Sequence, residues 1–432
     1  MADSLFRFAT AGSVDDGKST LVGRLLHDAK VILADQLEQV SRTSAERGFA
    51  SGEGIDFALL TDGLRAEREQ GITIDVAYRY FSTGNRSFIL ADCPGHVQYT
   101  RNMVTGATTA DAVVVLVDGR NGVQEQTRRH LAVVALLRVP HVIVAVNKID
   151  LLDFAEAAFT PVAEEVRRIA AELGITDAHV LPVSALEGDN VVDRSTRMPW
   201  YDGPALLELL EQLDSADEIA DAEPFRMPVQ SVIRPQGGLS PELAATPALA
   251  ERYRDYRAVA GRISSGEVRI GDRVALFPGN FETTVTGLSS AGREVTVASA
   301  PESVAIELAD ALDTARGAFL SAAGARPTPS RQLSAELFQL DPRPLRAGNR
   351  VLVKHGTATV QAQVVSIDSK RNLDTMANEA AEALEVNDIG HATLRLAAEL
   401  PTEPYVTDRN TGSFLVIQPG EGHTLAAGII RG

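Results

Sequence analysis

Hydrophobic positions along the chain show two textures. Over roughly the first two hundred residues, unbroken apolar runs at 6–10, 87–90, 112–117, 142–146 and 180–182 alternate with helix-length amphipathic stretches. Strands that are apolar on both faces, separated by amphipathic helices, predict a mostly parallel sheet covered on two sides. A closing helix is expected at 206–213, and the acidic stretch 214–223 leads through Pro224 into the second texture. There, short alternating runs at 257–263, 273–277 and 283–288 are separated by glycine-containing turns, the pattern of small antiparallel β-barrels. The Ala/Pro/Thr stretch 322–329 marks a further boundary, followed by strands at 351–354 and 359–367. The expected organisation is an α/β domain over 1–218, a first β-barrel over 225–327 and a second over 328–432. Residues 236–255, with Pro241 and Pro247, read as a loop inserted into the first barrel.

Charge sharpens this division. The 432 residues carry a formal charge of −17, with 44% hydrophobic and 23% charged residues, as expected of a globular protein. Residues 1–224 hold 20 Lys and Arg against 35 Asp and Glu, a balance of −15, whereas the remainder stands at −2. That balance, with only Lys354 and Lys370 as lysines in the barrels, argues against nucleic acid as a partner. No run approaches the ~18 apolar residues of a membrane span and residues 1–8 lack a secretory pattern, so a cytoplasmic protein is expected. The single cysteine, Cys93, excludes an intrachain disulfide and any multi-cysteine metal site.

Candidate chemistry begins directly after the first strand. Gly12-Ser13-Val14-Asp15-Asp16-Gly17-Lys18-Ser19 fits GxxxxGK[ST] and opens a helical stretch from Thr20, the context in which this spacing cradles phosphates. Gly12 and Gly17 let the backbone aim its amides at a β-phosphate, aided by the positive end of the following helix. Lys18 supplies a cation, and the Ser19 hydroxyl suits Mg²⁺, a hard ion satisfied by oxygen ligands. Thr20 completes the phosphate-binding run.

Two later motifs choose the base. Asn147-Lys148-Ile149-Asp150 follows the strand at 142–146, and the Asp150 carboxylate can accept from both N1–H and the 2-amino group of guanine. Adenine offers neither donor. Asn147 and Lys148 are expected to tether the base-binding loop, and Ser184-Ala185-Leu186 can bring a backbone amide to guanine O6.

The remaining parts are those of a switch. Asp92-Cys93-Pro94-Gly95-His96 ends the strand at 87–90; Asp92 can hold Mg²⁺ through water and the Gly95 amide can reach a γ-phosphate. Gly71, Ile72 and Thr73 lie in Arg68-Glu69-Gln70-Gly71-Ile72-Thr73-Ile74, where Thr73 completes the Mg²⁺ shell when a γ-phosphate is present. The metal set is therefore Ser19, Thr73 and Asp92. His96, adjoining the phosphate-sensing glycine, is the candidate to position or polarise the hydrolytic water, with Ile72 and Val14 as apolar walls. Arg65 and Arg68 lie in the same region without an assignable role, and Cys93 reads as a small strand-end residue.

The strings GSVDDGKSTL, EREQGITID, DCPGHVQYTRNM, NKID and SAL resemble the translation-factor superclass of P-loop GTPases. Within it two families compete. AEREQGITID resembles the elongation factors that deliver aminoacyl-tRNA. VDDGKSTLVGRLLHD, TDGLRAEREQGITIDVAYRYFST, PGHVQYTRNMVTGATTAD and SALEGDNVV resemble the GTPase subunit of heterodimeric sulfate adenylyltransferase. So do VKHGTATV (353–360) and DRNTGSF (408–414) in the C-terminal barrel, and this second resemblance is the closer one. Asp92-Cys93, where the family often has Asp-Thr, is a departure.

The resemblance implies a GTPase using GTP and Mg²⁺, and a partner: the small catalytic subunit that joins ATP and sulfate into adenosine 5′-phosphosulfate and pyrophosphate. Formation of the phosphate–sulfate anhydride is uphill, so GTP hydrolysis on this chain would supply the driving force. Coupling then requires the GTP and GDP states to contact the partner differently.

Overall fold

The computed structural model describes residues 5–32, 38, 40–44, 55–60, 76–95, 100–215, 223–235, 238–279, 281–372, 375 and 377–432. The chain divides into two compact units, Met1–Ala216 with Asn372–Ala377, and Asp217–Arg371 with Asn378–Gly432.

The first unit is built on β1 (Leu5–Gly12), β2 (Ala77–Ser82), β3 (Ser87–Asp92), β4 (Ala112–Asp118), β5 (His141–Asn147) and β6 (Ala178–Pro182). They form one sheet in the order β2-β3-β1-β4-β5-β6, parallel throughout except for the antiparallel edge pair β2–β3. Every residue of β4 is buried, the consequence of helices on both faces of a parallel sheet. Strand β2, by contrast, alternates exposed and half-buried positions until Phe81, as an edge strand should. Phe81 and Phe88 stack at 4.9 Å and close this end of the core with Phe6 and Phe8. Helices Lys18–Asp28, Thr100–Ala107, Glu125–Leu136, Glu156–Glu172 and Leu206–Gln212 cover the sheet. The chain leaves β1 toward β3 on one side and β4 on the other, so the strand order reverses at β1. The crevice beyond the carboxyl end of that strand is where an open α/β sheet binds ligands.

The second unit holds two sheets, each closed on itself. The first barrel uses β7 (Arg226–Ile233), β8 (Ala258–Arg262), β10 (Arg273–Phe277), β11 (Phe281–Ser290), β14 (Ser303–Leu308) and β15 (Phe319–Ala322). Its order is β10-β15-β7-β8-β14-β11, with β10–β11 completing the ring. Short strand β12 (Arg293–Val295) extends β11, and β9 (Glu267–Arg269) pairs with β13 (Val297–Ser299). Between β7 and β8 the chain detours through two short helices, Pro241–Ala244 and Pro247–Arg254, the second with no buried residue. Of the residues read from the sequence as an inserted loop, 236–255, the described part 238–255 is largely helical rather than loop.

The second barrel comprises β16 (Thr328–Gln339), β18 (Arg350–His355), β19 (Ala358–Arg371), β22 (Ile389–Thr402), β23 (Ser413–Ile417) and β24 (Thr424–Ile430), in the order β18-β23-β24-β16-β22-β19, closed by β18–β19. Strand β17 (Leu345–Arg346) pairs with β21 (Ala383–Leu384), and β20 (Asn378–Glu379) extends β19. Separate hydrophobic clusters fill the two barrels.

Within this unit the two barrels share a buried polar network. Arg226, 3% exposed at the start of β7, donates from Nε and Nη2 to the two carboxylate oxygens of Glu403 at 2.9 and 2.7 Å. Thr411 Oγ1 adds a third bond to Glu403 at 2.8 Å, and His355 Nε2 meets the Thr411 carbonyl at 2.7 Å. Asp408 accepts from the amides of Asn410 and Thr411, and the Asn410 side chain donates to the Ser264 carbonyl. Burial pushes the Glu403 carboxyl up, but the bonds from Arg226 and Thr411 outweigh it and hold it below the usual range. Nearby Glu223 is pushed the other way, to about 7, by burial and by Asp408 and Glu403, against the pull of Arg226.

Candidate nucleotide site

The loop after β1 runs straight into the helix Lys18–Asp28. That helix has Gly17 as its N-cap, no side-chain capping bond and no acidic residue in its first turn. Its first amides are thus left for an external anion. Gly17 stands at φ 92°, and a Cβ there would come within 2.4 Å of Asn147 Nδ2, so both backbone and space demand glycine. Ser13 N donates to Asp16 Oδ2 at 2.7 Å, which fixes the curl of the loop. Burial raises the Asp16 carboxyl despite that bond, and the Asp118 charge adds to the rise.

Asparagine 147, at the end of β5, is the hub. Its Nδ2 donates to the Asp16 carbonyl at 2.8 Å and its Oδ1 accepts from the Ala185 amide at 2.9 Å. One buried amide therefore ties the loop after β1, the loop after β5 and the loop after β6. Lys148, at φ 61°, reaches from Nζ to the Asp15 carbonyl and to Asp118 Oδ2, the latter at 2.9 Å. Asp150 Oδ1 accepts from Ser184 Oγ at 2.6 Å, which aims its carboxylate, and Ile149 is fully buried beneath it. Arg24, on the first helix, donates to the Leu186 carbonyl at 3.2 Å and so braces the Ser184–Ala185–Leu186 turn from behind.

Aspartate 92 ends β3, 2% exposed, and accepts from Thr10 Oγ1 at 2.8 Å across the β1–β3 ladder. Pro94 and Gly95 follow. A Cβ on Gly95 would sit 2.4 Å from the Gly12 carbonyl, so this turn and the loop after β1 approach more closely than any side chain allows. Cys93 is fully buried, its thiol pushed up to about 12, first by burial and then by the Asp92 charge. Val14 is 45% exposed. Gly71, Ile72, Thr73 and His96, together with Arg65 and Arg68, lie outside the described residues.

Two groups went unread in the sequence. Asp118 ends β4, 3% exposed; burial would raise its carboxyl, yet hydrogen bonds from Arg120 and Lys148 hold it at about 2. It anchors Lys148, and a carboxylate closing a six-residue apolar run was the signal for it. Buried His130, on the helix Glu125–Leu136, is pushed down to about 3 by burial and then by Lys18 and Arg129, so it stays neutral beside the loop.

The residues present fit a polyphosphate with a hard cation. Lys18 is 8% exposed, and no carboxylate among the described residues lies within ion-pair distance of it. Ser13 Oγ is buried without a hydrogen-bond partner among the described residues. The cradle of glycines, the uncapped helix and the Ser19 hydroxyl complete an anion- and Mg²⁺-compatible donor set. No group of three His, Cys, Asp or Glu side chains that could hold a metal by themselves occurs among the described residues.

Known proteins place this geometry. Residues 3–218 match the family model described as the elongation factor Tu GTP binding domain, and residues 332–431 match the GTP-eEF1A C-terminal domain-like family. The chain is 44% identical over 430 residues to sulfate adenylyltransferase subunit 1 of Laribacter hongkongensis (strain HLHK9), covering 99% of this chain and 85% of that protein. A second sulfate adenylyltransferase subunit 1, from Bacteroides fragilis (strain YCH46), is 44% identical over 428 residues, with 99% and 86% covered. The bifunctional enzyme NodQ of Rhizobium meliloti (strain 1021) is 43% identical over 429 residues. The chain spans 64% of NodQ's length, and 99% of this chain is covered.

Proposed function

Because this chain belongs to the sulfate adenylyltransferase subunit 1 family and carries its elongation-factor-Tu-type GTP-binding domain, we propose that it binds and hydrolyses GTP to drive sulfate activation on a partner. That partner is the small catalytic subunit, on which ATP and sulfate become adenosine 5′-phosphosulfate and pyrophosphate. Residues 1–218 form the nucleotide domain, with barrel domains at 225–327 and 328–432. No helix among the described residues is long and apolar enough to cross a membrane.

In this reading Asp150 selects guanine, the amides of 12–19 and Lys18 hold the phosphates, and Ser19, Thr73 and Asp92 attend Mg²⁺. Mg²⁺ would neutralise charge on the β- and γ-phosphates as it develops. His96 orients the attacking water, and the amides of Gly95 and the 71–73 segment report whether a γ-phosphate is present. One observation carries the reading: Asn147 joins the three loops at the carboxyl ends of β1, β5 and β6, with Ser184 aiming Asp150.

The test is co-expression with a candidate small subunit and measurement of sulfate-dependent pyrophosphate release from ATP, with and without GTP. GTP stimulation that His96→Ala removes is the expected result. Absence of a complex and of stimulation, alongside GTP-dependent aminoacyl-tRNA binding, would transfer the chain to the elongation-factor reading.

A further inference from the structure

The near-neutral sum of residues 225–432 conceals an uneven distribution. Strand β18, residues 358–365 of β19, residues 389–398 of β22, and β23 contain no Asp or Glu, in a chain with 58 of them. These strands are contiguous in the second barrel, in the order β23-β18-β19-β22. Their inward positions, among them Val351, Val353, Val364, Leu394 and Val416, are core. The alternate positions therefore form one outward face.

That face is cationic. Arg350 pairs in register with Gln363, and Gln363 with Arg395, so two exposed arginines stand in one row, two strand spacings or roughly 10 Å apart. Two repeats of the pleat along β18, roughly 13 Å away, exposed Lys354 lies opposite Leu415. None of the three cations has a carboxylate partner among the described residues. Elsewhere on this barrel exposed Arg331, Arg343 and Arg346 each meet a carboxylate, as Arg343 does with Asp341 and Glu421. Apolar side chains flank the three cations: Leu415 beside Lys354 is 37% exposed, Val365 two residues beyond Gln363 is 41% exposed, and Leu352 between Arg350 and Lys354 is half-buried.

Three unpaired cations flanked by exposed leucine and valine suit a protein surface better than a phosphate backbone. Tight nucleic-acid binding draws on roughly 6–10 phosphate contacts, and apolar contacts contribute nothing to them. Protein interfaces instead combine an apolar centre with arginine and a charged rim. We propose that this face of the second barrel docks the partner subunit, through a surface of that subunit carrying Asp and Glu beside apolar side chains. The inference rests on the reading above that such a subunit binds this chain. Of the strings VKHGTATV and DRNTGSF, the first contributes Lys354 to this face, at the end of β18, and the second the start of β23.

Binding of the wild-type chain, R350E/K354E/R395E and the milder R350Q/K354Q/R395Q to the purified small subunit tests this by calorimetry over a range of ionic strength. Fluorescent GDP affinity and far-UV circular dichroism check that each variant is folded. Charge reversal is expected to weaken binding by roughly 30-fold and neutralisation by roughly fivefold, with the salt dependence flattened in both. Wild type and variants binding equally well would overturn the docking face and leave the proposed function intact. A wild-type chain that does not bind the small subunit would remove the proposed function and this inference together. Self-association or RNA binding lost in the variants, while subunit binding persists, would assign the face to a different partner and overturn the proposal.

Discussion

The two units treat buried polar groups in opposite ways. At the carboxyl ends of β1, β3, β5 and β6 the buried groups are tied together on one side only. Asn147, Lys148 and Asp118 lock the loops to one another, while Lys18 and Ser13 Oγ reach the same crevice without a partner among the described residues. Between the barrels the network closes on itself: Arg226, Glu403, Thr411 and His355 satisfy each other. An open network marks a place that waits for a ligand, because a buried polar group left unpaired costs free energy. A closed one marks a joint whose role is positional.

The largest expected effect breaks the closed network. Arg226→Ala would leave the mostly buried Glu403 carboxylate without its two-pronged partner, at a cost of about 3 kcal/mol in stability. Chemical denaturation reads this directly, and a loss under ~1 kcal/mol would mean the joint is not satisfied internally. Nucleotide affinity should be unchanged.

Lys18→Ala attacks the open network and should do the reverse. Loss of one charge-assisted contact predicts roughly 100-fold weaker binding of fluorescent GDP, with little change in stability because no protein partner is lost. A variant that unfolds instead would place Lys18 in the fold rather than the site.

Asp150→Asn sharpens the base assignment. An amide presents a donor to guanine's own donors, so GTP affinity should fall about 20-fold while xanthosine triphosphate gains. Equal loss for both nucleotides would show that Asp150 only supports Ser184.

The smallest effect concerns pH. The folded-state pKa of Glu223, about 7, lies above the ordinary 4.5. Between those values the folded chain keeps a proton that the unfolded chain has released, so stability falls as pH rises through this window. Glu223→Gln should therefore add roughly 1 kcal/mol at pH above 7 and nothing near pH 5, the figure being reduced for partial exposure. Thermal denaturation at both pH values would check the sign.

The legible part of the site is the part encoded in short segments. Each of 12–19, 92–95, 147–150 and 184–186 shows its turn residues and its chemistry within a few positions, and the apolar strand before it locates it at a strand's carboxyl end. The barrels were legible as alternation and turns, but the detour at 238–255 folds into short helices whose second member buries nothing, leaving a weak hydrophobic signal. Asp118 was missed because its partner, Lys148, lies on a neighbouring strand end.

By itself, then, the sequence determined the α/β unit, the two barrels, the phosphate loop and the preference for guanine. All of these rest on local periodicity and on residues close together in the chain. Tertiary structure alone decided that Asn147 bonds Asp16, 131 positions away, and that Arg226 meets Glu403 across 177. It also decided that Arg350 and Arg395 stand in one row of one face, with no carboxylate among the described residues within ion-pair distance of either. Such pairings depend on strand order and register, which fix distant side chains to within a few ångströms and leave no trace in the spacing of residues along the chain.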